Sequence, residues 1–185
     1  MLLDPPYEKE FWYLYEAIPP IAMAKLKPNG HFVSLFGDTM KRSYMNILEA
    51  GGLIYNTDIS IQLQGPFSHD QHLHISRKKK DLLWYYKGPE LITNGLLQNF
   101  IPSERPEKEL HEWKQSTKKT KAIISKLTFS DTGDVVLDLT MGTRTNIKAA
   151  LNCGADRKAI GIEINQDTCE LAKGYISGSA ISVEV

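Results

Sequence analysis

Residues 134–164 read DVVLDLTMGTRTNIKAALNCGADRKAIGIEI, and this stretch decides the fold. Asp134-Val135-Val136-Leu137-Asp138-Leu139 is a short apolar run with an acid near its end, the pattern of a strand buried on both faces. A loop containing Gly142, Thr143 and Thr145 turns into a helix running to about Cys153-Gly154. A second strand over Lys158–Ile164 and a helix over Gln166–Ile176 complete a βαβα unit. Glu163 falls roughly 20 residues beyond Gly142, the distance at which an acid meets a ribose hydroxyl in nucleoside-binding units. Glycine lets a backbone approach a ligand closely, and a helix start offers free N–H groups to an anionic end. A nucleoside with an anionic tail suits this arrangement; a structural βα turn is the alternative reading.

S-adenosylmethionine has the required shape, as do dinucleotides, although the loop lacks a full G-x-G-x-x-G. Outward from this unit, Thr117–Phe129 has helical spacing, and residues 88–110 are rich in Gly, Pro, Asn and charge, an irregular loop. Leu53–Leu63 and Asp81–Tyr86 are β-like runs forming a hairpin around a polar stretch with HDQHLH and SRKKK. His31–Gly37 is a strand, and Lys41–Ala50 is a helix closed by Gly51-Gly52. Phe11–Lys27 is apolar at mixed spacings, interrupted at Pro19-Pro20 and stopped at Leu26-Lys27-Pro28-Asn29-Gly30. Helices alternate with strands throughout, so the fold class is α/β.

The chain starts MLLDPPY. Pro5 and Pro6 lack N–H groups and leave carbonyl acceptors, Asp4 adds a carboxylate, and Tyr7 adds a ring that stacks on planar ligands. The set suits a planar group bearing an NH2, while Pro-Pro after Asp also makes an ordinary turn.

At 185 residues the chain makes one domain, 1–185. Lysine plus arginine and aspartate plus glutamate both number 22, so attraction to a polyanion must come from local patches. No apolar run approaches the roughly 18 residues of a membrane helix. There is no export signal and there are only two cysteines, so the expectation is a cytoplasmic protein with reduced thiols and no membrane partner. His69, His72 and His74 have no acidic or thiolate ligand set at a recognisable spacing around them, so they read as a polar hairpin tip, and no metal is expected.

Together, DPPY at the front and VVLDLTMGTRTN…AIGIEINQDTCELAKGYI at the back resemble the amino-group DNA methyltransferases of the permuted class, in which the catalytic motif precedes the cofactor motif. The LKPNG turn, the hairpin ending LLWYYKG and the HEWKQS stretch, the last as in phage-type members, extend the resemblance. It implies a Rossmann-like three-layer sandwich with a mostly parallel sheet and an antiparallel hairpin. The implied reaction moves a methyl group from S-adenosylmethionine to the exocyclic amine of adenine, or cytosine, in DNA, in a restriction-modification setting. The resemblance places Asp4, Pro5, Pro6 and Tyr7 at the target base, with Asp4 and the Pro5 carbonyl on the amine. Asp138, Gly142 and Thr145 fall at the methionine part of the cofactor, Glu163 at its ribose, and His111, Gln115 and Ser116 in the same pocket. Trp113 is either a pocket member or a core anchor. Arg77, Lys78, Lys79 and Lys80 are candidate phosphate contacts, and residues 64–80 and 88–110 are candidate target-recognition loops.

The sequence departs from the family's D-P-F-x-G-S/G-G-T-T at Leu139, Thr140, Arg144 and Asn146. Arg144 either strains a glycine position or grips the cofactor carboxylate. The strand before DPPY has only Met1, Leu2 and Leu3, short of the usual length of roughly five or six residues. A longer reading frame, the segment AISVEV, or a second chain in a homodimer or with a partner would each fill that gap. These departures define the rival expectation, a non-catalytic methyltransferase fold that binds DNA or a partner.

Overall fold

A computed structural model describes residues 1–63, 68–70, 74–102, 117–129, 131–142, 144–154 and 157–174. The elements in chain order are β1 (Leu2–Leu3), α1 (Trp12–Lys25), β2 (His31–Leu35), α2 (Lys41–Ala50), β3 (Ile54–Gln62), β4 (Ser68–Asp70) and β5 (Ile75–Arg77). Then come β6 (Lys79–Tyr86), β7 (Phe100–Ile101), α3 (Thr117–Leu127), β8 (Val135–Asp138), α4 (Thr145–Leu151), β9 (Lys158–Gly161) and α5 (Gln166–Gly174). The βαβα unit, the β3–β6 hairpin and α2 lie where the sequence predicts them. β4, β5 and β7 are additions, too short to leave a periodic signal.

Five strands form one sheet in the order β1-β2-β6-β3-β7, and β8 pairs with β9. Pairing is mixed: in the five-stranded sheet β1/β2 and β3/β7 are parallel and β2/β6 and β3/β6 antiparallel, while the separate pair β8/β9 is parallel and the separate pair β4/β5 antiparallel. β1 packs beside β8, bringing the two groups of strands together.

Strand alternation builds the layers. Leu3, Phe32, Leu83 and Tyr85 face one side, in a core with Tyr15, Ile18 and Ala22 of α1 and Tyr44 and Leu48 of α2. Their chain neighbours Leu2, Val33, Leu82 and Trp84 face the other, in a core with Ile123, Ile124 and Leu127 of α3 and Ala149 and Ala150 of α4. This is the three-layer sandwich. Met141 and Ile147 form a third cluster with Cys169 and Ala172 of α5.

The expected interruption at Pro19-Pro20 is absent, because both prolines lie inside α1. Each removes one helix donor, at about 3 kcal/mol in a helix interior. The helix continues because Tyr15, Ile18, Pro19 and Ala22 form a buried stripe. Gly51, at the end of α2, makes room for it: a Cβ there would stand 2.6 Å from Pro19 Cβ.

The strand before DPPY has two residues, Leu2 and Leu3, paired with Val33 and Ser34. Beside it, a cavity of about 620 Å3 opens near the amino ends of β2 and β8, lined by Met1, Leu2, His31, Val33, Val135 and Val136 among others. The segment AISVEV lies outside the described residues.

Candidate active site

β1 and β8 lie side by side and run in the same direction. Lys27, just before β2, forms an ion pair with Asp134, just before β8. At the other end, the Asn146 side-chain amide donates to Asp138 Oδ2 at 2.8 Å and, at a long 3.5 Å, to the Leu2 carbonyl. The chain leaves β1 into Asp4–Tyr7 and leaves β8 into the loop bearing Gly142 on one edge of the molecule. That edge, at the carboxyl ends of parallel strands, is where α/β sheets bind ligands.

The front tetrapeptide is held from several directions. The Tyr7 hydroxyl donates to Asp4 Oδ1 at 2.5 Å. The Tyr15 hydroxyl donates to the Pro6 carbonyl at 3.0 Å, and its ring meets Tyr44 edge-on with centroids 4.6 Å apart. Tyr44 in turn donates to Ser34 Oγ in β2 at 3.1 Å. A buried aromatic column thus fixes the Pro6 carbonyl to the core. Gly37 completes the seat, since a Cβ there would lie 3.1 Å from the Tyr7 carbonyl oxygen and 3.3 Å from Tyr7 Cβ. Burial first, and then the Asp4 charge, push the Tyr7 phenol far above its ordinary range, so it remains a donor.

The back loop is equally ordered. Asp138 is 1% exposed. It accepts from the Thr140 N–H at 3.0 Å as well as from Asn146. Burial pushes its carboxyl up to about 6 and the nearby Asp4 charge adds to the rise, against the lowering by those hydrogen bonds. Asp4 and Asp138 are therefore electrostatically coupled across the gap between β1 and β8.

Glu163 closes the loop. Its Oε2 accepts from the Gly142 N–H and its Oε1 from the Asn165 N–H, both at 2.9 Å. Each oxygen keeps a lone pair for a further donor. Gly142 adopts φ +49, and a Cβ there would meet nothing within 4 Å. Its conformation asks for glycine, and the space beside it is open to a ligand. Thr145 is the first residue of α4. Asp138, Gly142 and Glu163 are connected through this loop and Thr145 opens the helix after it, while His111, Gln115, Ser116 and Trp113 lie outside the described residues.

Arg144 takes φ 73, the left-handed region in which glycine is at ease. Its side chain is buried, and Nη1 donates to the Ala172 carbonyl in α5 at 2.5 Å. A cation beside the last carbonyls of a helix is favourably placed.

The basic run divides. Arg77 pairs with Asp38, and Lys79 with Asp81 at 3.0 Å and with Ser60 Oγ at 3.2 Å. Lys80 sits over the Tyr7 ring, 5.4 Å from its centroid. Asn146 is the residue whose role the sequence reading missed: only its departure from the family pattern marked it. No helix among the described residues is long and apolar enough to cross a membrane.

An acid-and-proline tetrapeptide beside a nucleoside-type loop, both at the carboxyl ends of adjacent parallel strands, defines a Rossmann-like S-adenosylmethionine-dependent methyltransferase. Residues 4–174 match the N6/N4 family model described as DNA methylase. The chain belongs to that DNA methylase family, whose methyl donor is S-adenosylmethionine. Among solved structures, M1.HpyAVI in complex with SAM is 26% identical with a TM-score of 0.75, covering 95% of this chain and 87% of that one. TTHA0409 from Thermus thermophilus, complexed with S-adenosyl-L-methionine, is 18% identical with a TM-score of 0.76, covering 98% and 88%. The PvuII DNA methyltransferase, cytosine-N4-specific, is 16% identical with a TM-score of 0.76, covering 98% and 80%. No protein of curated function matches the sequence.

Proposed function

We propose that this chain is a site-specific, cytoplasmic DNA methyltransferase acting on the exocyclic amine of a flipped adenine, with the cytosine amine as the nearest variant. One observation carries the reading: Asn146 bridges Asp138 to the strand that delivers Asp4, setting the amine-holding tetrapeptide beside the cofactor loop. When bound, S-adenosylmethionine supplies an electrophilic methyl group on a sulfonium.

This chain's residues supply position and charge. An aromatic amine is a poor nucleophile because its lone pair is delocalised into the ring. Asp4 and the Pro5 carbonyl accept its two hydrogens, pull the nitrogen toward tetrahedral geometry and aim the lone pair at the methyl side of the cleft. Positive charge developing on nitrogen is stabilised by the Asp4 carboxylate. With Oδ1 accepting from Tyr7, the carboxylate is held in one orientation while the lone pairs of Oδ2 serve the amine. A base inside a duplex is out of reach, so it must be extruded at about a few kcal/mol, which stacking on Tyr7 partly offsets. On the cofactor side Asp138 holds the methionine part and Glu163 the ribose.

Sequencing DNA from cells expressing the chain, with detection of modified bases, is the test. N6-methyladenine at one short motif is expected; unmodified DNA overturns the reading. Calorimetric titration with S-adenosylmethionine separates a non-catalytic fold, which would give no heat at millimolar ligand.

A further inference from the structure

Lys80 does not behave like Arg77 and Lys79 of the basic run. Arg77 and Lys79 are committed to the acids Asp38 and Asp81, while exposed Lys80 lays its ammonium over the ring of Tyr7. The sheet register explains why it can. β6 runs antiparallel to β2 with Leu82 opposite Leu35, so Lys80 overhangs the carboxyl end of β2. That is the edge on which β1 delivers Asp4–Tyr7. Side chains alternate along β6, so Lys80 points away from the side taken by Lys79 and Asp81. The Arg77–Asp38 pair pins the strand before it to the turn following Gly37, the residue that backs Tyr7.

A side chain that is exposed and lies over a ring covers a face of that ring which solvent, or a base, can reach. We infer that Lys80 guards the base pocket: its ammonium occupies the stacking face of Tyr7 in the free protein and moves to the phosphate beside the extruded nucleotide when the base enters. The inference rests on reading Asp4–Tyr7 as the amine-binding tetrapeptide. The exchange is favourable in both parts. An exposed ammonium–ring contact is weaker than a base stacked on an aromatic ring. The displaced ammonium, still tethered at the pocket mouth, gains a phosphate and releases a counterion. Tyr7 and Lys80 would thus read the same nucleotide, one by its base and the other by its backbone.

Lys80→Gln and Lys80→Arg are compared with the wild type by two probes. The first is a duplex bearing the methylated motif with 2-aminopurine at the target position; the second is free 2-aminopurine riboside, which has no phosphate. With the duplex, Lys80→Gln is expected to bind about three- to tenfold more weakly, with the slope of log affinity on log salt reduced by about one. On the same duplex with adenine at the target, which can be methylated, KM rises while kcat stays within about twofold, and Lys80→Arg restores the salt slope. With the riboside, Lys80→Gln binds at least as tightly as wild type, since the competing ammonium is gone. An unchanged salt slope overturns the inference, as does a parallel loss for both probes, which would make Lys80 a support of the ring. A wild-type protein that leaves DNA unmethylated sinks the methyltransferase reading as well, so the two failures are told apart by the wild-type control.

Discussion

Asn146 donates to Asp138 Oδ2 at 2.8 Å, and the same amide group faces the Leu2 carbonyl at 3.5 Å. The amide thus ties the end of β8 and, more loosely, the end of β1 to the first turn of α4. Removing it in Asn146→Ala leaves the buried Asp138 short of a donor, at about 1–3 kcal/mol of stability. Chemical denaturation should show that loss, together with weaker S-adenosylmethionine binding at neutral pH. Asn146→Thr, which restores the family's usual residue, keeps a hydroxyl donor for Asp138 and should lose less.

The raised carboxyl of Asp138 gives a pH dependence of definite sign. Its value rises from 3.8 to about 6 on folding, chiefly through burial. Between those values the folded chain binds a proton that the unfolded chain has released. The contribution of Asp138 to stability is therefore full below about 3.8, falls as pH rises through about 6, and is level above it. Cofactor affinity should run the other way, weakening by up to about tenfold per pH unit below 6 as the carboxylate is lost. Calorimetry from pH 5 to 8 would show this, and Asp138→Asn should flatten the profile.

Tyr7 has two separable functions. Tyr7→Ala removes the stacking platform, which for a base on an aromatic ring is about 1–3 kcal/mol, or roughly five- to 150-fold in kcat/KM. Tyr7→Phe keeps the platform and loses only the 2.5 Å bond that orients Asp4, so a smaller loss, carried by kcat, is expected. Steady-state kinetics on duplex DNA would separate the two, and equal losses would mean that the ring does not stack on the base.

Arg144→Gly relieves a left-handed backbone, about 1 kcal/mol, but removes a charge-assisted bond to the Ala172 carbonyl of about 1.5–3 kcal/mol. The net expectation is a loss of about 1 kcal/mol in unfolding free energy, with cofactor affinity changed less than about threefold. Arg144→Ala keeps the strain and loses the bond, so it should be the less stable of the two. A tenfold loss of S-adenosylmethionine affinity in a fully stable Arg144→Gly would place the guanidinium on the cofactor instead.

Glu163→Gln is not a conservative change here. Two backbone N–H groups, from Gly142 and Asn165, point at its two different oxygens, and glutamine presents one acceptor and one donor. The loop should loosen, and cofactor affinity should fall by at least about tenfold, readable by the same titration.

What the sequence made legible was local. The apolar run at Val135–Asp138, the glycine of the loop, the acid at Glu163 and the helix stop at Gly51-Gly52 each carry their signal within a few residues, and the structure places them accordingly. What it hid depends on distant partners. The amide of Asn146 meets a carbonyl 144 residues away, and the Arg144 guanidinium leaves the loop for a helix 28 residues on. Arg77 reads as one of a run of four cations, but its partner Asp38 lies far back in the chain, just past the end of β2. Helix α1 runs through Pro19-Pro20 because of the core behind it, which no breaker rule registers.

The two-residue strand β1 also has a dynamic consequence. Leu3 is buried in the core under α1 and α2, Leu2 in the one under α3 and α4, so this short piece of backbone rivets both layers through the sheet. The Val33 amide, bonded to the Met1 carbonyl, should therefore exchange deuterium slowly and only when the whole domain opens, despite the scant pairing around it. A strand end that would ordinarily fray becomes a reporter of global cooperativity.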